Sequence, residues 1–180
     1  MPHQAHLTGT VPFKFIIEYT TDSRVPLVIN KLRSPLSVFS EDLKSLDSLI
    51  DCQDINTGKK VPWSGVFGCW DSDPHPEFLD HDDFVEISAD KPWRSECTLE
   101  NQENEVEYVR SMEGLEAGHM YKAKVTERAL VAFNRWQYGK KADLLTRTKE
   151  EKMRRWEVGM DKLGSLKVES AGEVVFEAVA

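Results

Sequence analysis

Residues 71 to 83, DSDPHPEFLDHDD, hold six carboxylates and two histidines with no Lys or Arg among them. Such a run suits cation binding by oxygen and imidazole, acid–base work by a paired His and carboxylate, or no chemistry at all. Asp71, Asp73, His75, Glu77 and Asp82 fall at positions 1, 3, 5, 7 and 12 of an EF-hand spacing. That spacing fails on its own physics. Pro76 stands where the loop needs Gly to turn, and His75 is a poor ligand for a hard cation. A looser calcium or zinc site built from Asp71, Asp73, His75, His81 and Asp82 stays open, because imidazole and carboxylate suit zinc. Crowded carboxylates also favour any cation that relieves their repulsion. Against this, Pro74 and Pro76 bias Asp73 and His75 towards extended backbone, so the run reads mainly as a stiff, hydrated connection between strands. No cofactor is expected.

A second constellation is aromatic. Trp70, Trp93 and Trp136, with His75, His81 and Arg135, would line an apolar ligand pocket if the fold brought them together. Tryptophans in a β protein are more often core, and Cys97 alternates in phase with Trp93 and Leu99, which marks it as core too. A Cys–His nucleophile would need Cys69 or Cys97 beside His75, His81 or His119, and spacing does not establish that. The chain has no GxSxG, no phosphate-cradling glycine loop and no paired-cysteine metal spacing.

The elements that must position these residues are mostly strands. VPFKFIIEYT (11–20) sets Val11, Phe13, Phe15, Ile17 and Tyr19 against Lys14, Glu18 and Thr20, with Ile16 the apolar exception. VPLVINKL follows, and Pro26 places it near a sheet edge. LIDCQDI and KVPW flank a tight turn at Gly58 as a hairpin. FVEI leads through SADK into PWRSECTLE, the cleanest alternation in the chain. Tyr121, Ala123 and Val125 alternate with lysines until the phase slips near Arg128, where a β-bulge would return Val131 and Phe133 to the buried side. Between 143 and 160 the period becomes helical, with Leu145, Met153, Trp156 and Met160 on one stripe. SLKVES and EVVFEAV read as a terminal hairpin around Ala171–Gly172. The expected fold is therefore mainly β: one domain over 1–180, an immunoglobulin-like antiparallel β-sandwich with one helix near residues 143–160.

Composition agrees with a folded soluble chain: 40% hydrophobic and 30% charged residues over 180 positions. No apolar run is long enough for a membrane helix, and the N-terminus lacks the basic start and apolar stretch of a secretory signal. Three widely spaced cysteines then suggest buried thiols in a reducing, cytoplasmic setting, with a Cys52–Cys69 disulfide as the alternative. The net charge of −8 conceals a basic segment: residues 122–167 carry thirteen Lys and Arg against six Asp and Glu. A helix face in water explains it, and an acidic domain without a nucleic-acid motif argues against nucleic acid as a partner.

Three segments together, VINKLRSPLSVF (28–39), FVEISADKPWRSECTLE (84–100) and GLEAGHMYKAKVTERALVAFNRW (114–136), resemble a fungal family of small uncharacterised intracellular β-sandwich proteins. More distantly, the layout resembles the bacterial intracellular proteinase inhibitor. SADKPW stands where the family has a Pro-Gly turn, and the acidic run is an insertion relative to it. The resemblance implies a sandwich and assigns no functional residue. The expected function is a non-catalytic cytosolic binding or interaction module, inhibitor-like in one form, whose partner is a protein or a small molecule. The alternative is a small natural-product-type enzyme or small-molecule binder, a cyclase or isomerase, using the tryptophan and histidine pocket.

Overall fold

The structure, a computed structural model, describes residues 3–31, 34–36, 49–63, 83–99, 112, 114–131, 133, 136–145 and 166–180. These form a mainly β chain with nine strands in three sheets and two short helices. The four-stranded sheet runs β1 (His3–His6), β9 (Glu173–Val179), β7 (Met120–Val125), β4 (Ile50–Asp54). The two-stranded sheet pairs β2 (Phe13–Tyr19) with β6 (Trp93–Leu99), and the three-stranded sheet runs β5 (Phe84–Ile87), β3 (Leu27–Asn30), β8 (Trp136–Tyr138). Helices α1 (Glu127–Leu130) and α2 (Lys141–Leu145) follow β7 and β8.

Alternation decides which side of each strand is dry. In β2 and β6 the register sets Phe13 opposite Leu99 and Phe15 opposite Cys97, and all four are buried. On the wet side Lys14 donates to Glu96 at 3.2 Å and Arg94 pairs with Glu18. Ile16, between them, is 57% exposed. The inner face of this pair packs on the four-stranded sheet through Phe176, whose ring lies 4.9 Å from Phe13, 6.0 Å from Phe15 and 5.4 Å from Tyr121. These separations are those of favourable ring pairs. Cys52 and Cys97 are fully buried in the same cluster, and Cys69, the other half of the alternative Cys52–Cys69 disulfide, lies outside the described residues. A second cluster, with Leu27, Ile29, Ile87, Phe133 and Trp136 at its centre, lies under the three-stranded sheet.

Several sequence expectations are corrected. Strand β3 is central, not near an edge, and all four of its residues are buried. Pro26 precedes the strand, where a missing N–H costs no ladder bond, and its carbonyl accepts from Gly139 N–H at 2.8 Å. The phase slip after Val125 is not a bulge. Thr126 caps α1 by accepting from Ala129 N–H, and this helical turn carries the chain out of one sheet towards β8 in another. Phe133 is buried as expected, but Val131 is 65% exposed at the helix end.

The terminal hairpin does not form. Residues 166–172 are not a strand, and β9 pairs instead with β7 and, in parallel, with β1. That parallel pair departs from an all-antiparallel arrangement. Of the expected helix near 143–160, residues 143–145 fall in the short helix α2, and residues 146–160 lie outside the described residues. Glu86 anchors α2 to the sheet by accepting from Lys141 N–H, while Lys141 Nζ donates to Phe84 O at 2.7 Å. Among the described residues no helix is long and apolar enough to cross a membrane.

Candidate functional site

Of the residues singled out from the sequence, Trp70, Asp71, Asp73, His75, His81, Asp82 and Arg135 lie outside the described residues. Among the described residues no group of three or more His, Cys, Asp or Glu is placed to hold a metal ion. Trp93 and Trp136 are described: Trp136 belongs to the second core cluster and Trp93 packs against it. Trp136 is 7% exposed and meets Tyr138 edge-on at 5.2 Å, and Trp93 is half-buried against the cluster rim.

Among the described residues a cavity lies where the two core clusters meet. It is a cleft of about 390 Å³, and neither tryptophan is in its lining. Its floor joins Phe15, Ile50 and Ala123 from the first cluster to Ile29, Ile87 and Phe133 from the second. One wall is β2 itself, since every residue from Phe15 to Thr20 lines the space. The other is the chain from Val168 to Val174, again without a gap. Successive residues of a strand point to opposite faces, so a space touching six in a row looks at the strand from its edge. The rim carries Glu18, Glu169 and Glu173 on the acidic side and Lys124 on the basic side.

Tyr19 forms part of the β2 wall, with its ring edge-on to Phe133 at 6.0 Å. Its hydroxyl is closed off from water and has no hydrogen-bond partner among the described residues. Burial pushes the phenol above its ordinary range, so it stays protonated and neutral. Directly opposite Tyr19 in the β2–β6 ladder is Trp93, whose indole N–H is also buried without a partner. These two unsatisfied polar groups, each costing about 1–3 kcal/mol, belong to residues paired at the end of β2.

A separate polar cluster was invisible to sequence spacing. His119 Nδ1 lies 2.9 Å from Asp54 Oδ2, and His119 Nε2 lies 3.7 Å from Glu116. Burial alone would raise the Asp54 carboxyl. Hydrogen bonds from His119, from the Thr57 hydroxyl and from the N–H groups of Asn56 and Thr57 outweigh it, and the carboxyl is pulled down to about 2. A His–Asp pair can serve acid–base chemistry, but here every hydrogen bond the Asp54 carboxylate accepts holds the 54–58 turn or ties it to the turn before β7. Cys52, two residues before Asp54, is fully buried, and burial first, then Asp51 and Asp54, pushes its thiol up to about 12. The arrangement is a structural clasp.

Lys124 stands between Asp51 of β4 and Glu173 of β9 in the ladders, so its charge has acidic neighbours on both sides. Sequence reasoning missed the cleft because its walls, β2 and 166–174, are far apart in the chain. The usable signal was Ile16 beside Phe15 and Ile17, an apolar run that a one-sided strand does not need. Compared with known proteins, the chain matches no family model, no curated protein and no solved structure.

Proposed function

We propose that the chain is a non-catalytic binding module of the cytosol, an immunoglobulin-like sandwich whose cleft receives an apolar guest. One observation carries this reading: the cleft of about 390 Å³ at the junction of the two apolar clusters, a volume within the range of ligand sites. A floor of Phe15, Ile29, Ile87 and Phe133 favours hydrocarbon or aromatic surface over water. The lining supports holding rather than reacting. Its carboxylates and Lys124 sit at the rim, its buried phenol is neutral, and the Ser170 hydroxyl already serves the turn at Gly172. The His119–Asp54 pair is not part of the lining.

The test is titration with Nile red, a neutral dye that brightens in apolar surroundings. Saturable binding of one dye per chain is expected. The variant Ala171→Trp, at an exposed rim position, is expected to fill the mouth and weaken binding about tenfold, the scale of ~1.4 kcal/mol, with an unchanged melting temperature. Unsaturable dye uptake, or equal affinity in Ala171→Trp, counts against the reading.

A further inference from the structure

We propose that the guest is a single extended peptide segment that adds as a strand to the free edge of β2. This rests on the cleft being a binding site and names what it binds. Three observations point to a peptide rather than a compact small molecule. First, β2 pairs only with β6 among the described residues, and no other backbone hydrogen bond reaches residues 13–20. In an antiparallel pair every second residue turns its N–H and C=O away from its partner, so the outer edge of β2 offers a row of unused donors and acceptors.

Second, that row faces the cleft rather than open water, as the unbroken lining from Phe15 to Thr20 requires. Six extended residues span about 20 Å, so this wall is long enough for one added strand to lie along it. A second copy of this protein is disfavoured, because its own β2 would bring β6 with it on the side that residues 168–174 occupy. Third, the two sides of an inserted strand would meet unlike surroundings. Side chains pointing inward meet the floor of Phe15, Ile29 and Phe133, while those pointing outward pass Ile16 and Glu18.

Charge sets the preferred partner. The lining carries Glu18, Glu169 and Glu173 against Lys124, with Arg94 and Lys167 pairing two of these carboxylates from outside it. Glu173 is exposed on the wall opposite β2; its cross-strand neighbour is Lys124, but it forms no ion pair among the described residues. The guest is therefore an alternating apolar strand with a Lys or Arg where it leaves the cleft. Backbone bonds to the β2 edge supply affinity, and the floor and rim supply selectivity.

The experiment selects ten-residue peptides from a random phage-displayed library on the full chain, then measures the winners as free peptides. Enrichment of alternating apolar residues with a Lys or Arg at one end is expected. Hydrogen exchange at the amides of residues 15–20 should slow on binding. Methylating alternate backbone nitrogens should weaken a winner at least tenfold in one phase and little in the other, and Glu173→Lys should weaken it several-fold while leaving the melting temperature alone. The peptide inference is overturned if winners bind equally well in both methylation phases, or if they protect amides outside the cleft walls. It also falls if no peptide is enriched while Nile red still binds in an Ala171-dependent way, which leaves the cleft reading standing. If neither peptide nor dye binds, both fall.

Discussion

Replacing Tyr19 with Phe should make the free protein more stable. The ring fills part of the β2 wall and meets Phe133 edge-on at 6.0 Å, and Phe keeps that ring and its contacts. What is lost is a hydroxyl closed off from water with nothing to bond to among the described residues. A buried, unsatisfied hydroxyl costs about 1–3 kcal/mol, so its removal should return roughly 1–2 kcal/mol once small packing losses are allowed for. For a chain of this length each kcal/mol moves the melting temperature by about 2–4 °C. Urea unfolding followed by tryptophan fluorescence should show a higher midpoint with an unchanged slope.

The built-in control is Tyr121→Phe, the same chemical change with the opposite expected sign. Tyr121 is buried and its hydroxyl accepts from Glu116 N–H at 2.7 Å, so its removal should cost about 0.5–1.5 kcal/mol. Two variants shifting in the same direction, or a loss of about 1 kcal/mol or more in Tyr19→Phe, would refute the reasoning, because the Tyr19 hydroxyl would then have a partner that stabilises it.

Phe176 is 1% exposed at the meeting point of Phe13, Phe15 and Tyr121, so Phe176→Ala should cost about 3–5 kcal/mol in the same unfolding assay. Because the folded Asp54 carboxyl is depressed to about 2, below its unfolded value, its contribution is complete above about pH 4 and fades as pH falls towards 2. Stability profiles of wild type and Asp54→Asn should therefore converge below about pH 2 and separate above pH 4, and parallel profiles across that window would contradict the clasp. Gly58 holds φ +73° in the turn after β4, so Gly58→Ala should lower stability by about 1 kcal/mol, read from the urea midpoint. Cys52, with its thiol at about 12, should at pH 8 be thiolate to only on the order of one part in ten thousand. Peptide-resolved labelling with iodoacetamide should leave Cys52 unmodified until denaturant is added.

Much of the architecture was legible because alternation is a local code. Phe13 and Phe15 in β2, Ser95, Cys97 and Leu99 in β6, and Tyr121 and Ala123 in β7 all turn inward as their period requires. β1 escaped notice because HQAH has no alternation, and it is a strand only because β9 supplies a partner. Pairing also defeated the terminal hairpin: EVVFEAV is a strand in any reading, but its choice of β7 and β1 over the adjacent SLKVES is made across more than fifty residues of chain. The helical turn α1 was hidden for a similar reason, since four residues give no period to detect, and only the Thr126 cap marks it.

The sequence by itself determined the strand content, the inward face of the long strands and the burial of Cys97 and Phe133, because each depends on which side of one strand or segment is apolar. Tertiary structure alone decided that the edge of β2 faces a cleft, that the Tyr19 hydroxyl and Trp93 N–H are buried without hydrogen-bond partners among the described residues, and that Asp54 meets His119 sixty-five residues away. The physical reason is that a side chain's preference for water or oil is a property of its own atoms. Which groups it meets once out of water is settled only when distant strands choose one another.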